Sequence, residues 1–508
     1  MSAHSALRRF TRLPLVFSGL AALTLGACTS LAPPAVLPPL PVAGQWQQTP
    51  ADAALNDVHT VVAAELHWQA WFTDPQLQQL IARALENNRD LRVAALRVDE
   101  ARAAFGIAQA GRYGELGVGA SAARARIPGD LNASGRAQTG GEYRAEAVLN
   151  SWELDFWGRI RSLEDAALNT WLATDAARQA LQLSLIRAVA DSYLGVREFD
   201  ERVAIARQSV LSHEQSLRIF RRRFEVGSTS RLDLTQVQTL LSQAQALLSR
   251  LEQARAAQMH ALAVLLGTDP GALDEAGGAA RLPDFAELQP GLPSEVLALR
   301  PDILAAEHRL RASAANIGAA RAAFFPRIAL TASFGSASAE LDGLFSAGSR
   351  SWTFAPVLSL PIFDAGRRRA ELALSEVRRD IAVAEYELAI QNAFREVADA
   401  LSDRRWLTEQ LRIAHTNHEA QRERARLAQL RYDHGATAYL EVLDAQRDLL
   451  EAAQQLAQTR RALRSSQVAL YAALGGGTRA TANADTDTDT DEATLPHSPQ
   501  AADADPSS

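Results

Sequence analysis

The chain has 508 residues, 47% of them apolar and 22% charged, with a formal net charge of −7 and a single cysteine. Ala and Leu dominate the apolar content, which favours long helices packed through small residues, and an intrachain disulfide is excluded. Much of the negative charge lies in the terminal run "ADTDTDTDEATLPHSPQAADADPSS", so the remainder is nearly neutral and offers no basic field for nucleic acid.

The first residues have the layout of an exported chain: Arg8, Arg9 and Arg12, then the apolar run "LPLVFSGLAALTL", then small residues before Cys28. That run is shorter than the roughly 20 residues a transmembrane helix needs. Residues 1–27 are therefore expected to be a signal peptide. Leu25-Gly26-Ala27-Cys28 resembles a bacterial lipobox, which implies cleavage before Cys28, a diacylglyceryl and N-acyl lipid on that residue, and, with Thr29 in place of Asp, sorting to the outer membrane. A plain signal peptide with an unmodified cysteine is the alternative. Residues 28–50 are proline-rich and extended, a tether between anchor and body.

The body repeats itself. Adding 208 maps Arg223, Gly227, Thr229, Leu232 and Gly267 onto Arg431, Gly435, Thr437, Leu440 and Gly475, and "LDFWGR" (154–159) loosely onto "IFDAGR" (362–367). Residues 88–110 resemble 300–322 at a slightly different offset. The expected organisation is a first repeat over 51–267, a connection over 268–293, a second repeat over 294–477, and a disordered acidic tail over 478–508. Each repeat reads helix, two strands, long helix, turn, helix.

Within the second repeat, Val442, Leu449, Leu456, Leu463 and Leu470 recur at sevens, with Ala445, Ala452, Thr459, Ser466 and Ala473 three residues after each. That is a heptad with large and small residues sharing a left-handed seam. Leu374, Val377, Ile381, Ala384 and Leu388 are expected to form the same kind of seam. The helical pattern from Gly366 to His434 spans about 100 Å at 1.5 Å per residue, a rod of little use to a globular enzyme.

Strands are expected near 115–125, 142–155, 327–337 and 351–363. Ile328, Leu330, Ala332 and Phe334 alternate with Ala329, Thr331, Ser333 and Gly335, and Leu116, Val118, Ala120 and Ala122 with Gly117, Gly119, Ser121 and Ala123, the pattern of a wall between lipid and water. Pro356 sits awkwardly for a paired strand, and the second strand is the least regular. Four strands cannot close a barrel of useful bore, so several chains must contribute.

"WFTDPQLQQLIARALENNRDLRVAALRV", "SWELDFWGRIR", "LPSEVLALRPDILAAEHRLRASAANIGAARAAFFPRIALTASFG", "LSLPIFDAGRRRAEL", "RYDHGATAYLEVLDAQ" and "ALYAALGGG" together resemble the TolC-like family of outer-membrane efflux channels, in its NodT-type lipoprotein branch, over residues 45–477. The resemblance implies a mainly α homotrimer: four strands per protomer in a twelve-stranded outer-membrane β-barrel, continued by an α-barrel of long coiled-coil helices in the periplasm of a Gram-negative bacterium. A mixed equatorial region would draw on 267–293, the early mature chain and the C-terminal stretch. The family usually has a proline at the corner that falls at Tyr113–Gly114 here. Gly227 and Gly435 become the helix-tip turns, and Leu440, Glu441 and Asp444 the gate at the periplasmic entrance.

Rings of Glu441 and Asp444 carboxylates would prefer cations. Tyr439 and Arg431 are candidate latches across to Asp233 and Gln236, whereas Thr437 replaces a basic latch residue of some members. Acid near a helix N-terminus is also explained locally by the helix dipole. The implied function is passive conduction of small toxic compounds, with a periplasmic adaptor docking at 224–231 and 432–440 and an inner-membrane pump supplying energy. Type I protein secretion, metal efflux, or a non-conducting structural lipoprotein are the alternatives. His415 and His418 lack an evident third ligand, Arg367–Arg369 mark the periplasmic edge of the barrel, and no Walker loop or catalytic constellation is present. The chain is expected to be no enzyme and to need no cofactor or metal.

Overall fold

The computed structural model describes residues 31–34, 36–39, 41, 63–271, 273, 285, 288 and 300–478. The signal segment, Cys28, much of the tether, most of the 268–293 connection and the tail lie outside the described residues. Two compact units divide the chain: one takes in residues 1–39, 96–175 and 305–387, the other 40–95, 176–304 and 388–508.

After a short 3₁₀ turn at Ala63–Glu65 the elements are α1 (Trp68–Trp71), α2 (Pro75–Asn87), α3 (Arg89–Ala110), β1 (Glu115–Ile127), β2 (Gln138–Glu153), α4 (Arg159–Glu225), α5 (Arg231–Leu266), α6 (Pro301–Ala322), β3 (Arg327–Ser338), β4 (Arg350–Ser359), α7 (Arg367–Asp433) and α8 (Tyr439–Ala473). The repeat is carried by the elements themselves. Helices α4 and α7 each have 67 residues and start 208 positions apart, as do α5 and α8. A 67-residue helix is about 100 Å long.

In the first unit the strands form one antiparallel sheet in the order β1-β2-β3-β4. Register decides what its faces are. Leu116, Val118, Ala120 and Ala122 lie opposite Leu149, Ala147, Ala145 and Tyr143. Ala147 and Leu149 lie opposite Phe334 and Ala332, which in turn face Trp352 and Phe354. Because paired residues share a face, these residues form an apolar band across all four strands, and Arg124, Arg126, Ser336, Ser338 and Arg350 continue the same side beyond it. The other side joins Ser121 to Arg144, Gly119 to Glu146, and Ser333 to Val148 and Thr353, a mostly polar surface.

The irregularity of the second strand has a physical source. A register shift between Leu149 and Trp152, with Ser151 at φ +37°, inserts an extra residue, so Trp152 rejoins the apolar face opposite Leu330. Pro356 pairs with Leu330 on the outer strand of the sheet, where its missing N–H is tolerated. The corner before β1 manages without proline: the indole Nε1 of Trp152 donates to the Arg112 carbonyl at 3.1 Å, and any Cβ on Gly114 would lie 2.4 Å from Leu149 Cδ1. At the matching corner before β3, Trp157 Nε1 donates to the Pro326 carbonyl at 2.8 Å. Arg368 starts α7 against the Asp364 carboxylate at 2.6 Å.

In the second unit the largest buried cluster joins Trp71, Phe72, Leu77, Ile81, Tyr193, Leu262, Phe285 and Tyr471. Trp71 stacks on Tyr471 at 4.4 Å between centroids. The glycines of "ALYAALGGG" are fitted to that ring, since a Cβ on Gly476 would come within 2.5 Å of Tyr471 ring atoms. Asp74 caps α2 by accepting from Gln76 N at 2.8 Å, and its other oxygen accepts from the Tyr193 hydroxyl at 2.7 Å. Burial, followed by the Asp74 bond, pushes the Tyr193 phenol up to about 12, so it remains a donor.

The heptad of α8 is buried at Val442, Ala445, Ala452, Leu456, Thr459, Ser466, Leu470 and Ala473. The expected seam of α7 differs. Leu374, Val377, Ile381 and Leu388 are each about half exposed, and the buried line runs instead through Ala382, Tyr386, Ile390, Ala393, Val397 and Ala400. Small residues on that second line allow close packing within the protomer, leaving the larger apolar stripe outward.

Gly267 ends α5 at φ +67°, and a Cβ there would be 2.2 Å from the Asn87 carbonyl oxygen; Gly271, at φ +72°, has no such neighbour. Gly271→Ala should cost about 1 kcal/mol from the left-handed backbone alone, whereas Gly267→Ala should add about 1–3 kcal/mol of overpacking. Urea unfolding of the detergent-solubilised protein reads the difference between them.

Candidate functional site

The two glycine turns are built alike. Gly227 (φ +71°) and Gly435 (φ +69°) take the left-handed conformation. Their N–H groups donate to Phe224 and Tyr432 carbonyls, and the next N–H groups, of Ser228 and Ala436, reach back to Arg223 and Arg431 at 2.8 Å. These are helix C-caps in which only glycine avoids Cβ strain. Each is followed by a returning helix whose third residue is acidic: Asp233 in α5 and Glu441 in α8.

The two acids are used differently. Asp233 closes a capping box: the Ser230 hydroxyl accepts from the Asp233 N–H at 3.0 Å, while the Asp233 carboxylate accepts from the Ser230 hydroxyl at 2.7 Å, the Ser230 N–H and the Thr229 hydroxyl. The Ser230 hydroxyl, then its N–H, holds the Asp233 carboxyl below the usual range. In α8 the cap position is Ala438, which offers no side-chain bond. Glu441 instead pairs with Arg431 at 2.9 Å and accepts from the Thr437 hydroxyl.

The expected latch to Asp233 and Gln236 is therefore not the one formed within the protomer. Asp233 is committed to its own helix end, and Gln236 is half-buried with no hydrogen bond among the described residues. Tyr439 bonds the Ser216 hydroxyl of α4 at 2.6 Å, and Arg431 is taken by Glu441. Around Tyr439 gathers an aromatic group: Phe220 at 4.5 Å and Tyr432 at 4.8 Å between centroids, with Phe220, Val237 and Leu443 forming a buried cluster. Arg223 hydrogen-bonds the Tyr432 hydroxyl and lies over both the Phe220 and Tyr432 rings. Burial raises the Tyr439 phenol, which stays neutral.

Magnitudes rank these contacts. Exposed ion pairs such as Arg431–Glu441 contribute roughly 0.2–1 kcal/mol and are screened by salt. Two aromatic pairs at roughly 0.5–1.5 kcal/mol each, a cation–π contact and a half-buried hydroxyl bond sum to more. What holds Tyr439 in place is mainly aromatic.

Leu440 is exposed beside it. The carboxylates are not bare: Asp444 has Arg447 at 3.4 Å, and Asp448 has Arg424 at 2.6 Å and Arg447 at 3.0 Å. Each acid thus has an arginine partner, which offsets the cation preference expected of uncompensated rings. Ser216, Phe220 and Tyr432 escaped sequence reasoning; only the Arg223/Arg431 and Phe224/Tyr432 correspondence of the repeat hinted at this region. His418 lies 3.4 Å from Glu419, and no group of three metal-ligating side chains converges among the described residues. No described helix is long and apolar enough to cross a membrane.

Comparison with known proteins decides the family. The family model described as outer membrane efflux protein matches residues 80–268 and 292–476, one segment for each repeat. The chain belongs to the outer membrane efflux protein family. This efflux-family chain is 42% identical to outer membrane protein OprJ of Pseudomonas aeruginosa over 90% of its length and 95% of that protein. It is also 42% identical to the toluene efflux pump outer membrane protein TtgI of Pseudomonas putida, over 94% of its length and 100% of the relative. The open-state MtrE outer membrane channel of Neisseria gonorrhoeae superposes with a TM-score of 0.79 at 34% identity, covering 89% of this chain and 99% of that one. The protein is an outer-membrane channel of trimeric architecture, whose sheets join into a β-barrel and whose helices form an α-barrel.

The uncapped start of α8 should be the weaker of the two returning helices. Amide exchange in its first turn is expected to exceed that of α5, and Ser230→Ala, at a cost of about 1 kcal/mol, should erase the difference. Since the Asp233 pKa is depressed on folding, the capping box contributes above the ordinary carboxylate range and is lost as pH falls through the lowered value. Acid should therefore speed exchange at α5 in the parent relative to Ser230→Ala.

Proposed function

We propose that this chain is the exit duct of a tripartite efflux system, conducting small toxic compounds passively from the periplasm to the exterior. The observation that carries this reading is the sheet register, which gives one face an apolar band across all four strands and makes the other mostly polar, as a water-filled barrel in lipid requires. The names of TtgI and of the antibiotic efflux pump outer membrane protein ArpC link those relatives to an aromatic solvent and to antibiotics, so the cargo class proposed is small apolar toxicants. The duct itself performs no catalysis and uses no cofactor.

In this reading Leu440, Glu441 and Asp444 narrow the periplasmic entrance, and the α7/α8 turn is the moving part. Its exposed ion pairs and uncapped helix start make it easier to displace than the α4/α5 turn, which a capping box stiffens. A periplasmic adaptor docks at 224–231 and 432–440 and displaces Tyr439 from Ser216 and Phe220; an inner-membrane pump drives transport. Cys28 carries a diacylglyceryl and an N-acyl chain that tie the protein to the outer membrane.

Expressed in a Gram-negative host lacking its own outer-membrane duct but retaining adaptor and pump, the chain should raise tolerance to toluene and to several antibiotics at least severalfold. Trimers present in the outer membrane with no gain in tolerance to any of these compounds would overturn the reading.

A further inference from the structure

Leu31, Ala32 and Pro33 have no regular secondary structure, yet they are half-buried, while Pro34 and Val36 are exposed. Their place is made by a missing side chain. Any Cβ on Gly318 of α6 would stand 2.7 Å from the Ala32 Cβ, 2.8 Å from its Cα and 2.7 Å from Ser162 Oγ in the first turn of α4. Ser162 is fully buried and its hydroxyl has no hydrogen-bond partner among the described residues. One turn further along α6, Arg321 donates to the Leu31 carbonyl at 3.4 Å and lies 3.8 Å from Glu376 of α7.

We infer that Gly318, Arg321 and Ser162 form a seat for the segment that follows Cys28, and that this seat sets where the membrane anchor joins the body. The inference rests on the reading of Cys28 as the lipid-bearing residue. Two residues, Thr29 and Ser30, separate Cys28 from Leu31, three Cα steps with a reach of at most about 11 Å. Arg321 belongs to the last turn of α6, shortly before β3 begins at Arg327. Thr29 and Ser30 alone thus make a short leash to the helix-to-strand corner, and the prolines from Pro33 onward lie at the seat or on its body side.

The test is the rate of maleimide labelling of Ala32→Cys in the full-length detergent-purified trimer carrying Cys28→Ser, with Val36→Cys as the exposed reference. Ala32→Cys should react about tenfold more slowly than Val36→Cys, as docking suppresses local opening. Gly318→Leu should bring the two rates together. Because a larger residue at 318 also presses on Ser162, Arg321→Ala serves as a second variant that leaves the helix contact intact; it should raise the Ala32→Cys rate severalfold. Equal rates at both positions in the parent, or no response to either variant, overturn the seat. The mass of the parent protein separates the two ideas: slow labelling with an unacylated Cys28 removes the anchor but keeps the seat, and an acylated Cys28 with fast labelling does the reverse.

Discussion

A four-stranded antiparallel sheet with β1 and β4 at its edges cannot sit in a bilayer by itself, because each edge presents a row of backbone donors and acceptors that hydrocarbon cannot satisfy. Joining sheets from several chains removes the edges, and the trimeric architecture of the family does so. The rest of the molecule follows from that closure. The apolar band suits lipid and the face carrying Arg144 and Glu146 suits water, while the stripe of Leu374, Val377, Ile381 and Leu388 on α7 stays exposed in the single chain.

The internal repeat supplies two helix-turn-helix arms of equal length, and small differences at their turns give them different stiffness. Ser230 and Asp233 satisfy each other at the start of α5. Ala438 cannot do so for α8, and Glu441 turns to Arg431 and Thr437. A cap is worth about 1 kcal/mol, comparable with one of the aromatic contacts that hold Tyr439. The α7/α8 turn is therefore the less stiffly held of the two. Paired arginines keep the acids of the second arm nearly neutral as a group, so this turn is held by packing more than by charge.

Much of the fold was legible because periodicity is a long-range signal. The strand alternation at 328–335 and the 208-residue offset each involve many residues, and both correspond to elements in the structure. Local competition was harder to see. The α7 seam was misassigned because Leu374 through Leu388 and Ala382 through Ala400 both have helical spacing, and spacing alone does not reveal which line the protomer buries. The partner of Asp233 within the protomer was not legible because it has two chemically reasonable choices, and the nearer one, Ser230, three residues away, takes it. Ser216 carries no signal in the sequence at all; only the antiparallel approach of α4 and α8 brings it to Tyr439. Leu31 to Pro34 have no regular secondary structure, as the prolines predict, but nothing in the sequence ties Ala32 to Gly318, 286 positions later.

The central claim is that the chain forms a conducting duct held narrow by the aromatic latch of the α7/α8 turn. Single-channel conductance of the purified trimer in planar bilayers, with Tyr439→Ala and Arg223→Ala combined against the parent, tests it most directly. The account predicts a small conductance with weak cation preference in the parent and one several times larger in the variant. Intact trimers that conduct in neither form, or a variant indistinguishable from the parent, would contradict it.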